Sequence, residues 1–240
     1  SAIRIKDPVL NIDLIYNYGI FDFNQPNFYA NFTKGKLLYQ LGRYRFKYFL
    51  ESYKRQNRWV KEQVLNLTQE QKQRYFLVLE ENALPENKNY YYDPYFNNCS
   101  TKLRDITEDI LAEKVSFKYP ESGQTFRKLM NKEIPWNTWG SFGINFALGN
   151  ILDSSILPKQ YLYLPDYLYT TLKQSTLFSK NQVGNLVKKE NILIDLPELQ
   201  QKEPLFSPFL LFSVLCLLVI LITYYDYKNN KRNKILDFSL

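Results

Sequence analysis

The chain has 240 residues, among them 20 Tyr, 17 Phe, two Cys and no His, and carries a formal net charge of +7. That length accommodates one ordinary domain with a good core plus an appendage. The basic surplus is spread thinly, with no basic helix and no aromatic RNA-binding motif, which argues against nucleic acid as a partner. No His/Cys metal cluster, phosphate-binding glycine loop or Gly-x-Ser-x-Gly elbow occurs, so neither a metal nor a soluble cofactor is expected.

In chain order, "SAIRIKD" (1–7) and "DLIYNYGIFDF" (13–23) alternate or run apolar with β-branched and aromatic residues, as paired strands do. The chain opens on a strand already under way and stops in "ILDFSL", so both ends read as cut. Residues 46–57 have a helical pattern. Thr68, with Gln71 three positions on, makes a capping box for a helix carrying Tyr75, Phe76 and Leu79, which Pro85 ends. "NYYYDPYF" (89–96) reads as extended or turn-like. Leu103, Ile106, Ile110 and Leu111 then form a stripe that predicts an amphipathic helix over 100–113. Between 121 and 165 the signals are weak, and "TWGSFGINFALGNILD" (138–153) reads equally as a helix or a buried loop.

The clearest segment is "LFSPFLLFSVLCLLVILITYY" (205–225), which carries no charge and is long enough to cross a hydrocarbon core of about 30 Å. Lys228, Lys231, Arg232 and Lys234 follow it, against Lys189 and Lys202 in the comparable stretch before. The positive-inside bias therefore predicts residues 1–200 outside and 226–240 in the cytoplasm, where a second span could open at "ILDFSL". The expected organisation is an extracytoplasmic α+β domain over 1–200, a membrane helix over 205–225 and a cytoplasmic loop over 226–240.

Of the two cysteines, Cys216 falls inside the span. Cys99 stands immediately before the helix predicted at residue 100, among the capping-type side chains Asn97, Asn98, Ser100 and Thr101. A helix N-terminus lowers a thiol pKa and offers N–H groups to an oxyanion, so nucleophile and oxyanion hole can come in one piece. The bland alternative is a buried structural cysteine. A thiol nucleophile also needs a base, ordinarily histidine, and this chain has none.

"YNYGIFDFNQPNF", "FTKGKLLYQLG", "NRWVKEQVLNLT" and "PENKNYYYDPYFNNCSTKLRD" resemble, in order and spacing, the N-terminal periplasmic domain of Lnb-type proteins of Bacteroidota. The resemblance runs from residue 1 to about 170, through "FGINFALGNILD" and "LPDYL", and a membrane segment follows as that family leads one to expect. It implies a permuted NlpC/P60-like, papain-related fold with an antiparallel sheet and helices. It also implies lipoprotein N-acylation, in which an acyl chain moves from a phospholipid to a lipoprotein N-terminal amine through a Cys thioester, at the inner membrane and facing the periplasm. In the family a Gly-His pair precedes the strand that begins here at Ser1, which implies that the base lies just upstream. By position, Cys99 matches the nucleophile and Asn98 its flank, a further candidate to hold the oxyanion. Arg104 with Asp105 is expected to tie the helix to the sheet. Tyr18 and Asp22, of the same strand parity, are expected to orient the histidine. A cell-wall peptidase or amidase with the same Cys–His pair, and a non-catalytic membrane-tethered scaffold, stand as the alternative readings.

Overall fold

Strand alternation and two helical stripes organise most of the chain. The computed structural model describes residues 1–22, 26–27, 31, 36–179, 182–197 and 206–230. Contacts divide it into two units, Ser1–Ser122 with Leu157–Leu199, and Gly123–Ile156 with Gln200–Leu240. In this division residues 123–156 group with the C-terminal segment.

In the first unit, β1 (Ala2–Asp7), β2 (Ile12–Ile20), β3 (Leu37–Arg45) and β5 (Asn89–Tyr92) form an antiparallel sheet in the order β1-β2-β3-β5. Successive side chains point to opposite faces, and the sequence fills both. On one face Tyr16, Tyr18 and Leu41 pack with Tyr75 and Leu79 of α2 (Gln69–Asn82) and with Ile106, Ile110 and Leu111 of α3 (Cys99–Leu111). On the other, Ile15 packs with Phe46 and Phe49 of α1 (Phe46–Arg55), Val60 of β4 (Val60–Leu65) and Ile194 of β9 (Val187–Ile194). β4 and β9 form their own antiparallel pair. Arg4 fastens this second face: its guanidinium binds Asp13 and Glu62, each at 2.7 Å, and lies 3.7 Å over the Phe46 ring. A smaller sheet of β6 (Val115–Ser116), β7 (Thr176–Ser179) and β8 (Gln182–Asn185) and helix α6 (Pro165–Gln174) complete the unit.

The helix signals hold closely. The Thr68 hydroxyl accepts from the Gln71 N–H at 3.2 Å while the Gln71 side chain accepts from the Thr68 N–H at 2.8 Å, so the capping box is complete. The stripe on α3 is buried at Ile106, Ile110 and Leu111, and the helix starts at Cys99 itself.

One local feature departs from simple alternation. The β2–β3 register shifts between Asn17 and Ile20, and Gly42 lies opposite Asn17. A Cβ on Gly42 would fall 2.0 Å from Ile20 Cδ1, so a larger residue there would oblige the Ile20 side chain to move. Strand β2 ends at Ile20, and its parity does not extend to Asp22.

The second unit contains α4 (Phe126–Glu133), α5 (Trp139–Leu148) and α7 (Pro208–Lys228). The ambiguous stretch 138–153 is a helix followed by a 3₁₀ turn, Gly149–Asp153. It is largely exposed rather than a buried loop. α7 runs 21 residues, is apolar and long enough to cross a membrane, and is almost wholly unburied. It opens with Pro208 in its first turn and the Ser207 hydroxyl capping the Leu210 N–H, and it reaches three residues past the charge-free run. Leu205, Lys202, the basic residues Lys231, Arg232 and Lys234, and the second span expected at 235–240 lie outside the described residues.

Candidate active site at the opening of α3

The approach to Cys99 is a tightly bonded turn. Proline at 94 disfavours helix at Asp93, whose carboxylate instead accepts from the Tyr95 and Phe96 N–H groups at 2.8 and 2.9 Å. Asp93 and Asn97 exchange backbone hydrogen bonds at 3.1 Å, and the Asn97 amide donates to the Tyr91 carbonyl at 2.6 Å. The chain direction at the start of α3 is thereby fixed.

Asn98 closes the turn and caps the helix. Its Oδ1 accepts from the Ser100 and Thr101 N–H groups at 2.9 and 3.0 Å. Its Nδ2 donates to the Pro94 and Tyr163 carbonyls at 2.7 and 2.9 Å, and the Thr101 hydroxyl accepts the Asn98 N–H at 2.8 Å. An amide nitrogen has two hydrogens, and both are committed. In this arrangement Asn98 fixes the start of α3. The first-turn N–H groups of Ser100 and Thr101 are also taken. Among the described residues no acceptor meets the Cys99 N–H, which is the donor left beside the thiol.

Cys99 is neither fully buried nor fully exposed, and it packs against the rim of the core that Tyr16 and Tyr18 share with α2 and α3. Its Sγ lies 3.5 Å from the Ser1 nitrogen, and the Ser1 and Ser100 hydroxyls are 3.0 Å apart. The beginning of β1 and the beginning of α3 thus meet at the thiol. Ala2 pairs with Asn17, so Ser1 stands level with Tyr18.

Tyrosine rings of β3 and β5 lie near enough to the thiol to be influenced by its charge. Tyr39 stacks on Tyr92 with centroids 4.2 Å apart, and Tyr90 lies 6.3 Å from both Tyr39 and Tyr18. Burial, and next the nearby charge of a Cys99 thiolate, push the Tyr39, Tyr90 and Tyr92 phenols above their ordinary value. These rings are neutral hydroxyl-bearing walls at any physiological pH. Sequence reasoning missed them. The one available signal was the Tyr-x-Tyr parity at 90 and 92, which gives no indication that the residues lie near Cys99.

The remaining candidates are placed as follows. Tyr18 is buried; its hydroxyl accepts from the Asn82 amide at 3.0 Å and its carbonyl accepts from the Tyr90 hydroxyl at 2.7 Å. Asp22 is exposed and lies past the end of β2. Arg104 binds Asp105 at 2.7 Å and donates to the Lys159 carbonyl at 3.3 Å. It ties α3 to the 3₁₀ segment Pro158–Tyr163 rather than to the sheet. Asp105 and Lys102 border a cavity of ≈ 220 Å³ with Tyr18, Asn82 and Tyr90, and Cys99 does not line it. No group of His, Cys, Asp and Glu suited to a metal occurs among the described residues.

A family model described as the Lnb N-terminal periplasmic domain matches residues 1–139. The match takes in β1 and the whole of α3, and stops short of the 170 residues over which the sequence resemblance was drawn. No curated protein and no solved structure matches the chain.

Proposed function

Because the chain belongs to the Lnb N-terminal periplasmic domain family, we propose that it is a membrane-anchored lipoprotein N-acyltransferase of the inner membrane, working through a thioester on Cys99. The observation that carries the reading is the meeting of Sγ with the first residue of β1 at 3.5 Å. The family resemblance implies a histidine attached there, and a residue joined to the Ser1 nitrogen starts within side-chain reach of the thiol.

The histidine takes the thiol proton, and the thiolate attacks the ester carbonyl of a phospholipid. The Cys99 N–H, at the positive end of α3, stabilises the oxyanion that develops. The ester C–O bond breaks, and the lysophospholipid leaves with the proton from the histidine. The lipoprotein α-amine then attacks the thioester carbonyl, the C–S bond breaks, and an amide and the free thiol result. No redox partner is required. Asn98 aims the nucleophile through the turn it bonds. The stacked Tyr39 and Tyr92 rings supply an apolar wall suited to an acyl chain, and α7 keeps donor and acceptor, both lipids, in the same surface as the enzyme.

The test is transfer of a labelled acyl chain from phospholipid to a diacylated lipoprotein by the full-length protein in vesicles. Cys99→Ser should reduce transfer to background while leaving the fold intact, since a hydroxyl at this site has too high a pKa for the same base. Near-normal transfer by Cys99→Ser would remove the nucleophile assignment.

A further inference from the structure

Helix α5 has its polarity reversed. Its polar residues are turned inward: Ser141 is 7% exposed, and the Asn145 amide bonds the Ser141 carbonyl at 2.8 Å and accepts from Arg127 of α4. Its large apolar residues are turned outward: Trp139, Phe142 and Phe146 are exposed, Phe146 to 82%, with Trp136 exposed just before the helix. A helix on a water-soluble surface shows the opposite arrangement. The stretch from 134 to 152 also contains no charged residue. Ten residues are too few to span a bilayer, and an apolar helix of that length is ordinarily a core helix or an interfacial one. Its exposure rules out the first.

The exposed face is continuous with the start of α7. The Trp139 indole N–H donates to the Phe206 carbonyl at 2.7 Å, and the Asn137 side chain accepts from the Phe209 N–H at 3.0 Å. Phe142 and Trp136 lie against Phe212 and Phe209, with centroids 5.4 and 6.0 Å apart. These partners sit in the residue before the Ser207 cap and in the first turns of α7, where a membrane helix leaves the headgroup region for hydrocarbon. Tryptophan is the residue enriched at that depth.

We infer that α5 is a second membrane-contacting element, lying in the boundary of the leaflet that α7 enters, with Trp139, Phe142 and Phe146 against lipid. The occupant of this face is phospholipid rather than a protein, because the face continues the lipid-facing surface of α7 without a polar break. The inference rests on α7 crossing the bilayer and is independent of the thiol chemistry. α5 gives the second unit a broad aromatic footing instead of a single-helix tether.

The chain has three tryptophans, Trp59, Trp136 and Trp139. Trp59 lies in the first unit with the Lys61 ammonium 4.7 Å from its ring, and serves as the reference. Two single-tryptophan forms of the full-length protein, W59F/W136F and W136F/W139F, are reconstituted into phosphatidylcholine vesicles with and without bromine on the upper acyl carbons. Bromolipid should quench Trp139 at least about two-fold more than Trp59. Protein retained through an alkaline wash with equal quenching of the two would overturn the inference and leave α7 as the sole anchor. A protein partner covering this face would give that same result. Protein lost in the wash would overturn both the span and the inference, leaving the thiol assignment to its own assay.

Discussion

The two units place opposite chemistry on their surfaces. In the first, Leu79, Leu111 and Leu186 are fully buried, while charged side chains pair at the exterior, Arg43 with Glu80 and Lys173 with Glu190. In the second, a serine and an asparagine are drawn against α4 while tryptophan and phenylalanine face out. The hydrophobic effect orders a surface by the solvent it meets, so the same chain shows water-facing design in one unit and lipid-facing design in the other.

The largest expected effect lies in the first unit. Leu79→Ala removes a fully buried side chain from the core between sheet and helices. It should cost about 2–5 kcal/mol, read as a lowered denaturant midpoint of the periplasmic unit. A second substitution tests the inversion itself. Phe146→Glu places a charge on a residue that is 82% exposed, as Tyr91→Glu does on one that is 66% exposed. On a water-facing surface both should be neutral within about 0.5 kcal/mol. With α5 against lipid, Phe146→Glu should cost up to ~2–3 kcal/mol and lower the yield of membrane-retained protein, while Tyr91→Glu leaves it unchanged. Equal retention of the two variants would erase the distinction between the units.

Asn98→Ala sharpens the account of the site. Loss of the cap should cost about 1–2 kcal/mol. The displacement of Cys99 should lower acyl transfer roughly 100-fold while leaving α3 helical by circular dichroism. Asn98→Asp keeps the one oxygen that accepts both capping bonds but sets the other carboxylate oxygen against the Pro94 and Tyr163 carbonyls, so it should restore neither full stability nor full activity.

The smallest effect is common to both units. Hydrogen bonds from Lys173, Tyr169 and Gln63 hold the Glu190 carboxyl at about 2, against 4.5 for the free group. In the second unit Arg127 likewise lowers Asp153. A depressed carboxyl contributes stability that is fully present above the unfolded value and is lost as pH falls through the folded one. The thermal midpoint should therefore be level above pH 4.5 and decline slightly between 4.5 and 2, and Lys173→Met should flatten that decline. Both groups are solvent-exposed, so the change is small.

Much of the first unit was legible because its signals are local. The Thr68–Gln71 box and the Leu103–Leu111 stripe lie within a few turns of chain, and the polar run before α3 marks a helix start that reads directly from capping chemistry. Asn98 was visible as a cap but not as a donor to Tyr163, because that contact joins residues 65 positions apart. Asp22 falls past Ile20, where β2 ends, and no residue in β2 announces that end. The second unit was hardest to read for the reason that distinguishes it. A helix whose polar side faces protein and whose apolar side faces lipid inverts the pattern by which amphipathic helices are recognised, and "TWGSFGINFALGNILD" passes for a buried segment.

The central claim is that Cys99 carries an acyl group between two lipids. It is tested most directly by incubating full-length protein with phospholipid in the absence of acceptor and measuring the mass of the peptide that contains Cys99. The account predicts an added acyl mass on that peptide, released by neutral hydroxylamine, absent in Cys99→Ser, and discharged when a diacylated lipoprotein is supplied. An unmodified Cys99 in protein that transfers acyl chains under the same conditions would contradict it.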